Sequence, residues 1–281
     1  MKAIVLNLLA WVFLPFMDGI AKYLSADLPV LQITWARYFF TVAFTLPIMF
    51  LFFNKQLTWS EKPKLQIIRG IILLCANICF FYSISVISLA KALTLAFIAP
   101  LIVTAFSPVI LKERVGVKRW TAVIIGFIGS VVVIRPGFVE LNLASFAALG
   151  TGLMYGFYLL ITRKLSTSDN PLLTLLLTGL TGAVIISFAM PFVWVQPTAN
   201  QWYLMASIGI FAIIGHLFLI LSLKYADASK LAPFSYFEII TNIIIGYYFF
   251  SNFPDNWTFL GLFIIICSGI YISRRERIIS T

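Results

Sequence analysis

Charge is scarce in this sequence. Of 281 residues only 11% are Asp, Glu, Lys or Arg, there is one histidine, and the cysteines number three. So few carboxylates and a lone imidazole leave little for acid–base or metal catalysis. There is also no His-Glu-x-x-His, no phosphate-binding glycine loop and no nucleophile elbow. No enzyme, cofactor or metal site is therefore expected. The net charge of +10 does not point to nucleic acid, because the basic residues fall in short loops between apolar runs rather than on one face of a soluble domain. Cys75, Cys79 and Cys267 lie inside apolar runs without paired metal-ligand spacing and are expected to be small buried hydrophobes.

What the chain has in excess is apolar length. It is 61% hydrophobic with a mean hydropathy of +1.01, too apolar to keep its surface in water. A spanning helix needs ~20 mostly apolar residues to cross ~30 Å of hydrocarbon. Apolar runs near 3–24, 33–53, 70–89, 92–111, 120–134, 143–162, 172–195, 203–223, 231–250 and 257–273 predict an all-α integral membrane protein of ten transmembrane helices. The first run is too long for a signal peptide and is expected to remain as a span. Breaks between runs carry turn residues, as in Asp27-Leu28-Pro29, Arg135-Pro136-Gly137, Ser168-Asp169-Asn170-Pro171 and Phe253-Pro254-Asp255.

Counting basic residues on alternate sides puts 16 of the 20 Lys and Arg on one side, Arg69 and Arg163 among them, and leaves Lys22, Arg37, Lys91 and Arg135 on the other. Cytoplasmic loops retain such residues during insertion, so both termini are expected in the cytoplasm, with the chain in the inner membrane. Halves 1–139 and 140–281 then match at an offset of roughly 140 residues, with Ala90-Lys91-Ala92-Leu93 beside Ala228-Ser229-Lys230-Leu231 and Trp120 beside Trp257. Five spans is an odd number, so the repeat must be inverted, with a site expected near the midplane between the halves. The fifth and tenth spans are short, but their glycines, like Gly152-x-x-x-Gly156, read as close helix packing.

The informative residues are those that hydrocarbon penalises, at ~2.5 to 3.5 kcal/mol for a charge at a helix centre. Asp18 precedes Lys22 by four residues, so it either forms a local ion pair or holds a cationic group or a proton. Glu238, isolated in an apolar span, reads as a cavity-facing carboxylate ahead of a protonated structural one. Arg37 could bind an anion, although its position near a span's end favours snorkelling outward. His216 either titrates or packs through hydrogen bonds. Tyr82, Tyr155, Tyr158, Tyr236 and Asn77 are candidates to line a cavity of rings and a few polar groups. Trp59, Trp202 and Trp257 sit at predicted boundaries as interfacial anchors.

Gly215-His216-Leu217-Phe218-Leu219-Ile220, the run Ala226 to Tyr236, Pro254-Asp255-Asn256-Trp257-Thr258, and Leu111-Lys112-Glu113-Arg114 followed by Trp120 and Gly126-x-x-Gly129 resemble EamA-type members of the drug/metabolite transporter superfamily. The resemblance covers essentially the whole chain. It implies ten helices in two inverted repeats, a central cavity, and export or uptake of amino acids, vitamins or other metabolites. Asp18 with Lys22, and Gln32 followed by Arg37, resemble patterns in family members that include riboflavin and S-adenosylmethionine carriers. Ser251-Asn252 departs from the Gly-Glu pair that commonly follows the ninth span, which removes a repeat-matched carboxylate opposite Glu113.

The expected function is secondary transport of a small organic metabolite by alternating access, with export of an amino-acid-like solute placed first. Uptake of a vitamin or nucleotide-like solute is the alternative, and a channel or a membrane scaffold is the rival of another class. The expected partners are that solute and the lipid bilayer, with no nucleic acid; a proton as coupling ion and a homodimer stay open.

Overall fold

The computed structural model describes residues 1–52, 60–134, 142–251, 255–257, 259–261, 263–264 and 267–268, and among them all regular structure is helical. The elements are α1 (Lys2–Leu24), α2 (Val30–Phe52), α3 (Pro63–Val86), α4 (Leu89–Ala96), α5 (Ala99–Ile110), α6 (Val117–Ile134), α7 (Leu143–Ser166), α8 (Pro171–Ser187), α9 (Met190–Val193), α10 (Ala199–Tyr225), α11 (Ala228–Leu231) and, after a 3-10 turn over Ala232–Phe237, α12 (Glu238–Phe250). The expected turn at Arg135-Pro136-Gly137, the anchor Trp59, Asn252 and the tenth span beyond residue 268 lie outside the described residues.

Helix starts follow their caps. Proline opens α3 and α8, where its missing N–H goes unneeded, Asn142 and Asn170 accept from the first turns of α7 and α8, and Thr198 forms a reciprocal capping box with Gln201 at α10. Taking α4 and α5 as one span, six helices among the described residues are long and apolar enough to cross a membrane. The outward faces are apolar too, with Val109, Val117, Phe188 and Phe192 each more than three-quarters exposed. The chain is a multi-pass membrane protein.

Three expectations need correction. α3 starts at Pro63, seven residues before the predicted span, because Gln66 and Arg69 are buried against α7 and α8 instead of lying in a loop. The fourth and ninth spans are not continuous: the helix breaks at Phe97-Ile98 ahead of Pro100, and again through the 3-10 turn that contains Pro233. Each proline lacks an N–H and so cannot complete the helical ladder behind it. Cys75 and Cys267 are exposed and Cys79 is half-buried, so the thiols stand on outward faces rather than in the core.

The bundle is held by α1 along α10 and by α3 along α7, with α2 lodged against α8 and α10; α4 and α5 lie on α7, and α12 lies on α1. Helices also approach closely at the first break. A Cβ added at Gly152 would stand 2.3 Å from Ile98 Cγ2 and 2.4 Å from the Ala96 carbonyl oxygen, so only glycine lets α7 meet the broken backbone. Between α7 and α8, the loop carboxylate Asp169 accepts from Ser60 Oγ, from Gln66 Nε2 at 2.7 Å, from Ser168 Oγ at 3.2 Å and from the Glu61 N–H at 3.4 Å. Burial alone would raise its pKa, but these donors outweigh it and hold the carboxyl below the usual carboxylate range.

Gly152→Ala is expected to destabilise by ~1 to 3 kcal/mol, read as a lower melting temperature in detergent. Gly150→Ala, whose added methyl would meet only Met154 Cε at 3.9 Å, is expected to leave it unchanged or slightly higher. A depressed folded pKa contributes stability above the unfolded value and loses it as pH falls through the folded one. Asp169→Asn should therefore melt lower than wild type at pH 7, and the two curves should converge below about pH 4.

Candidate functional site

Midway through the bundle is a cavity of about 650 Å³ of atom-free space, its open mouth included. α1 contributes Trp11, Met17 and Asp18, α3 contributes Asn77 and Phe80, and α7 contributes Thr151 and Tyr155. Both broken spans add to the lining, through Phe97 and Pro100 on one side and Ser235 and Glu238 on the other. Broken spans bring loose backbone to membrane depth, which a bilayer tolerates only where protein or a cavity surrounds it.

Asp18 is 3% exposed and Glu238 9%. Neither carboxyl accepts a hydrogen bond or forms an ion pair within 4 Å among the described residues, although the Arg37 guanidinium acts on Asp18 electrostatically from further off, and both line the cavity. The expected ion pair between Asp18 and Lys22 does not form. The Lys22 ammonium instead donates to the carbonyls of Ile84 at 2.6 Å and Ile87 at 3.0 Å, closing the C-terminal end of α3, where a cation meets the negative end of the helix.

Beyond His216 lies a narrow space, large enough for about one water, lined by Arg37, Tyr38, Thr41, Tyr158 and Thr178. Arg37 is 2% exposed, which overturns the expectation that it snorkels. From α2 it turns inward, its Nε 3.2 Å from Met17 Sδ, its Nη2 2.6 Å from His216 Nε2, and its guanidinium over the Tyr38 ring at 4.7 Å. A guanidinium only donates, so His216 Nε2 accepts and the imidazole proton sits on Nδ1, facing the Tyr158 hydroxyl at 3.1 Å. Behind Tyr158 the fully buried Arg69 lies over its ring at 5.1 Å and donates to Thr162 Oγ1, the Thr174 carbonyl and Thr178 Oγ1.

A third space, about 300 Å³, continues from the main cavity past Trp11, Pro100 and Leu159 to Leu223 and Ala228. Beside Ala228, at the end of that space, stands Glu113. Its two oxygens accept from the Ala228 and Ser229 N–H groups at 3.0 and 3.1 Å and from Ser229 Oγ at 2.6 Å, so a carboxylate caps the start of α11. Arg163 ties the cap down, with Nε 3.7 Å from Glu113 Oε1 and Nη2 3.1 Å from Asp227 Oδ1.

Of the residues singled out from sequence, Asp18, Asn77, Tyr155, His216 and Glu238 line the main cavity, and Arg37 and Tyr158 line the smaller one with His216. Tyr82 lines neither: it is half-buried on α3. Tyr236 is buried edge-on against Phe97 at 5.2 Å, and its hydroxyl has no hydrogen-bond partner among the described residues. Gln32 exchanges two hydrogen bonds with the Val195 backbone and lines neither space. Sequence reading missed Arg69, whose charge at a span's edge looked like a loop residue, and Arg163, which acts through carbonyls and carboxylates remote in sequence.

The description "EamA-like transporter family" matches the chain twice, over residues 1–135 and 142–274. A curated S-adenosylmethionine uptake transporter of Rickettsia prowazekii is 25% identical over 97% of this chain and 94% of its own length. The riboflavin transporter of Vibrio cholerae is 26% identical over 92% and 91%. The pseudopaline exporter CntI of Pseudomonas aeruginosa is 27% identical over 98% and 97%. A solved crystal structure shares the fold with a TM-score of 0.80 over 99% of both chains at 16% identity. With the family matched along both halves, and relatives named as transporters rather than enzymes, this chain belongs to the EamA-like transporter family.

Proposed function

We propose that this protein is a secondary transporter that carries a small organic solute with a cationic group across the inner membrane by alternating access, through the cavity floored by Asp18 and Glu238. The observation that carries the reading is that pair of buried, unpartnered carboxyls facing one aromatic-walled space. Intramembrane ionisable groups without a protein partner mark solute and ion pathways. When the solute is absent the carboxylates still need a counter-cation, and a proton is the smallest available.

Ten spans in two inverted repeats, 1–139 and 140–281, are part of the proposal. An offset of 139 residues brings the start of α4 at Leu89 onto the start of α11 at Ala228, Lys91 onto Lys230 and Phe97 onto Tyr236, so both helix breaks fall at matched positions. Helix contacts also exchange in pairs: α1 with α10 answers α7 with α3, and α2 with α10 answers α8 with α3. Discontinuous helices in corresponding places are what inverted-repeat carriers build their binding sites from. With the termini in the cytoplasm, Glu113 and Arg163 would close the cytoplasmic path.

S-adenosylmethionine is the first solute to test. Its sulfonium and ammonium suit the carboxyls and its adenine suits Trp11, Tyr155 and Phe97, whereas riboflavin would leave the carboxyls without a role. Export and uptake are both open to such a carrier, and the gradient selects between them.

In proteoliposomes, S-adenosylmethionine counterflow is expected to saturate. Glu238→Gln and Asp18→Asn should each reduce it at least about tenfold, as loss of a charge-assisted contact implies, without lowering the melting temperature in detergent. Flux that never saturates would mean a channel, and unchanged kinetics in both variants would remove the carboxyls from the site. For the closure, Leu223→Cys in a background lacking Cys75, Cys79 and Cys267 should react slowly with maleimide from the cytoplasmic side. Adding Glu113→Ala should speed that reaction several-fold, and no change would mean that Glu113 does not hold the path shut.

A further inference from the structure

We infer that Asn77 is a specificity-determining residue of the main cavity, its side-chain carbonyl accepting from an uncharged N–H of the solute, and that the protein therefore selects cations that also carry an amide or aromatic amino group. The inference rests on the transporter reading and goes further by naming the second group that the solute must bring.

Asn77 lies within α3, is 8% exposed and lines the main cavity. One of its amide atoms stands 2.7 Å from the Leu73 carbonyl oxygen, one helical turn back, and 2.7 Å from Tyr38 Oη. A backbone carbonyl can only accept, so that atom is Nδ2, and its two hydrogens are spent on Leu73 and Tyr38. The opposite orientation would set oxygen against oxygen. Tyr38 is itself held, buried with its ring under the Arg37 guanidinium, so the amide is fixed on both sides. What remains is Oδ1, which accepts from no group among the described residues. An amide carbonyl kept from bulk water is costly without a donor, and here the cavity is where a donor can come from.

The other polar side chains of the wall show what such a donor must belong to. Most side-chain donors are already used within the protein: Trp11 Nε1 donates to Asn7 Oδ1 at 2.8 Å, Ser235 Oγ to the Ala232 carbonyl at 2.7 Å, and Thr151 Oγ1 to the carbonyls of Ala147 at 3.0 Å and Ala76 at 3.2 Å. Both ring nitrogens of His216 are engaged, with Arg37 and Tyr158. The acceptors are not used. Asp18, Glu238 and Asn77 Oδ1 all line the cavity without a hydrogen-bond donor among the described residues, and the one unengaged side-chain donor beside them is the Tyr155 hydroxyl, which can accept as well. A wall made of acceptors suits a solute rich in N–H groups. The carboxyls take its cation, and Asn77, which is neutral, takes a neutral donor. A cation without a second N–H would leave Oδ1 unpaired, and a site built to hydrogen-bond a group rejects the analogue that lacks it far more strongly than an apolar pocket rejects a missing methylene. In S-adenosylmethionine the 6-amino group of adenine is such a donor.

The test is counterflow in proteoliposomes with two probes: S-adenosylmethionine and the analogue in which purine replaces adenine, which lacks only the 6-amino group. Wild type is expected to prefer S-adenosylmethionine by about 10- to 100-fold in kcat/KM, as an unpaired buried acceptor implies. Asn77→Ser keeps a hydroxyl that can bond back to the Leu73 carbonyl but is too short to reach the solute. It should abolish the preference by weakening S-adenosylmethionine alone, with transport of the purine analogue unchanged. If Asn77→Ser does not fold, Asn77→Leu, which fills the same space without an acceptor, takes its place with the same expectation. Equal transport of the two probes by wild type overturns the inference and leaves the transporter standing. So does a variant that keeps the preference, and so does one that weakens both probes alike, as a merely structural role for Asn77 would. Failure of both probes to show saturable counterflow in wild type would sink this inference together with the reading it rests on.

Discussion

Hydrocarbon supplies no hydrogen bonds, so each polar group carried into this bundle must be answered by another helix or by the contents of a cavity. Most are answered by protein. Arg69 is met by three threonines from α7 and α8, Asn7 of α1 reaches Ser222 of α10 and receives the Trp11 indole, and Lys22 covers the open carbonyls at the end of α3. Asp18 and Glu238 stand apart: among the described residues their carboxyls accept no hydrogen bond, and both border the central cavity.

The central spaces draw on both halves of the chain. Asp18 and Arg37 come from α1 and α2, and His216 and Glu238 come from α10 and the start of α12. Neither half alone assembles the set. In the proposed duplication the architecture repeats while the charges do not, since Asp18 and Arg37 have no charged counterparts at the matched offset. A symmetric frame with asymmetric chemistry lets the two halves exchange shape while the solute meets one particular arrangement of charge.

Much of this was legible in the sequence, for physical reasons that also explain the rest. Long apolar runs bounded by proline, asparagine and aspartate give helices and their ends directly, and a carboxylate in such a run, as at Asp18 and Glu238, stands out by its cost. Arg37 and Arg69 were misread for one shared reason: near a span's edge, outward snorkelling and inward burial look alike, and the partners that decide, His216 and Thr174, lie far along the chain. The paired breaks were present as Ala99-Pro100 and Ala232-Pro233, but hydropathy averages across a proline and reports one continuous span. Tyr82 was grouped with the other tyrosines by composition, and only packing shows that its face of α3 turns away from the cavity.

At the first break α7 meets bare backbone, with Gly152 beside the Ala96 carbonyl and Gly156 against Ile102. Steric contact that close leaves no slack for one segment to slide past the other. α4, α5 and α7 are therefore coupled as a single lever, although α7 and the other two fall on opposite sides of the midpoint of the chain. In the proposed alternating access, a rocking of the halves would then have to carry one arm of each across the divide.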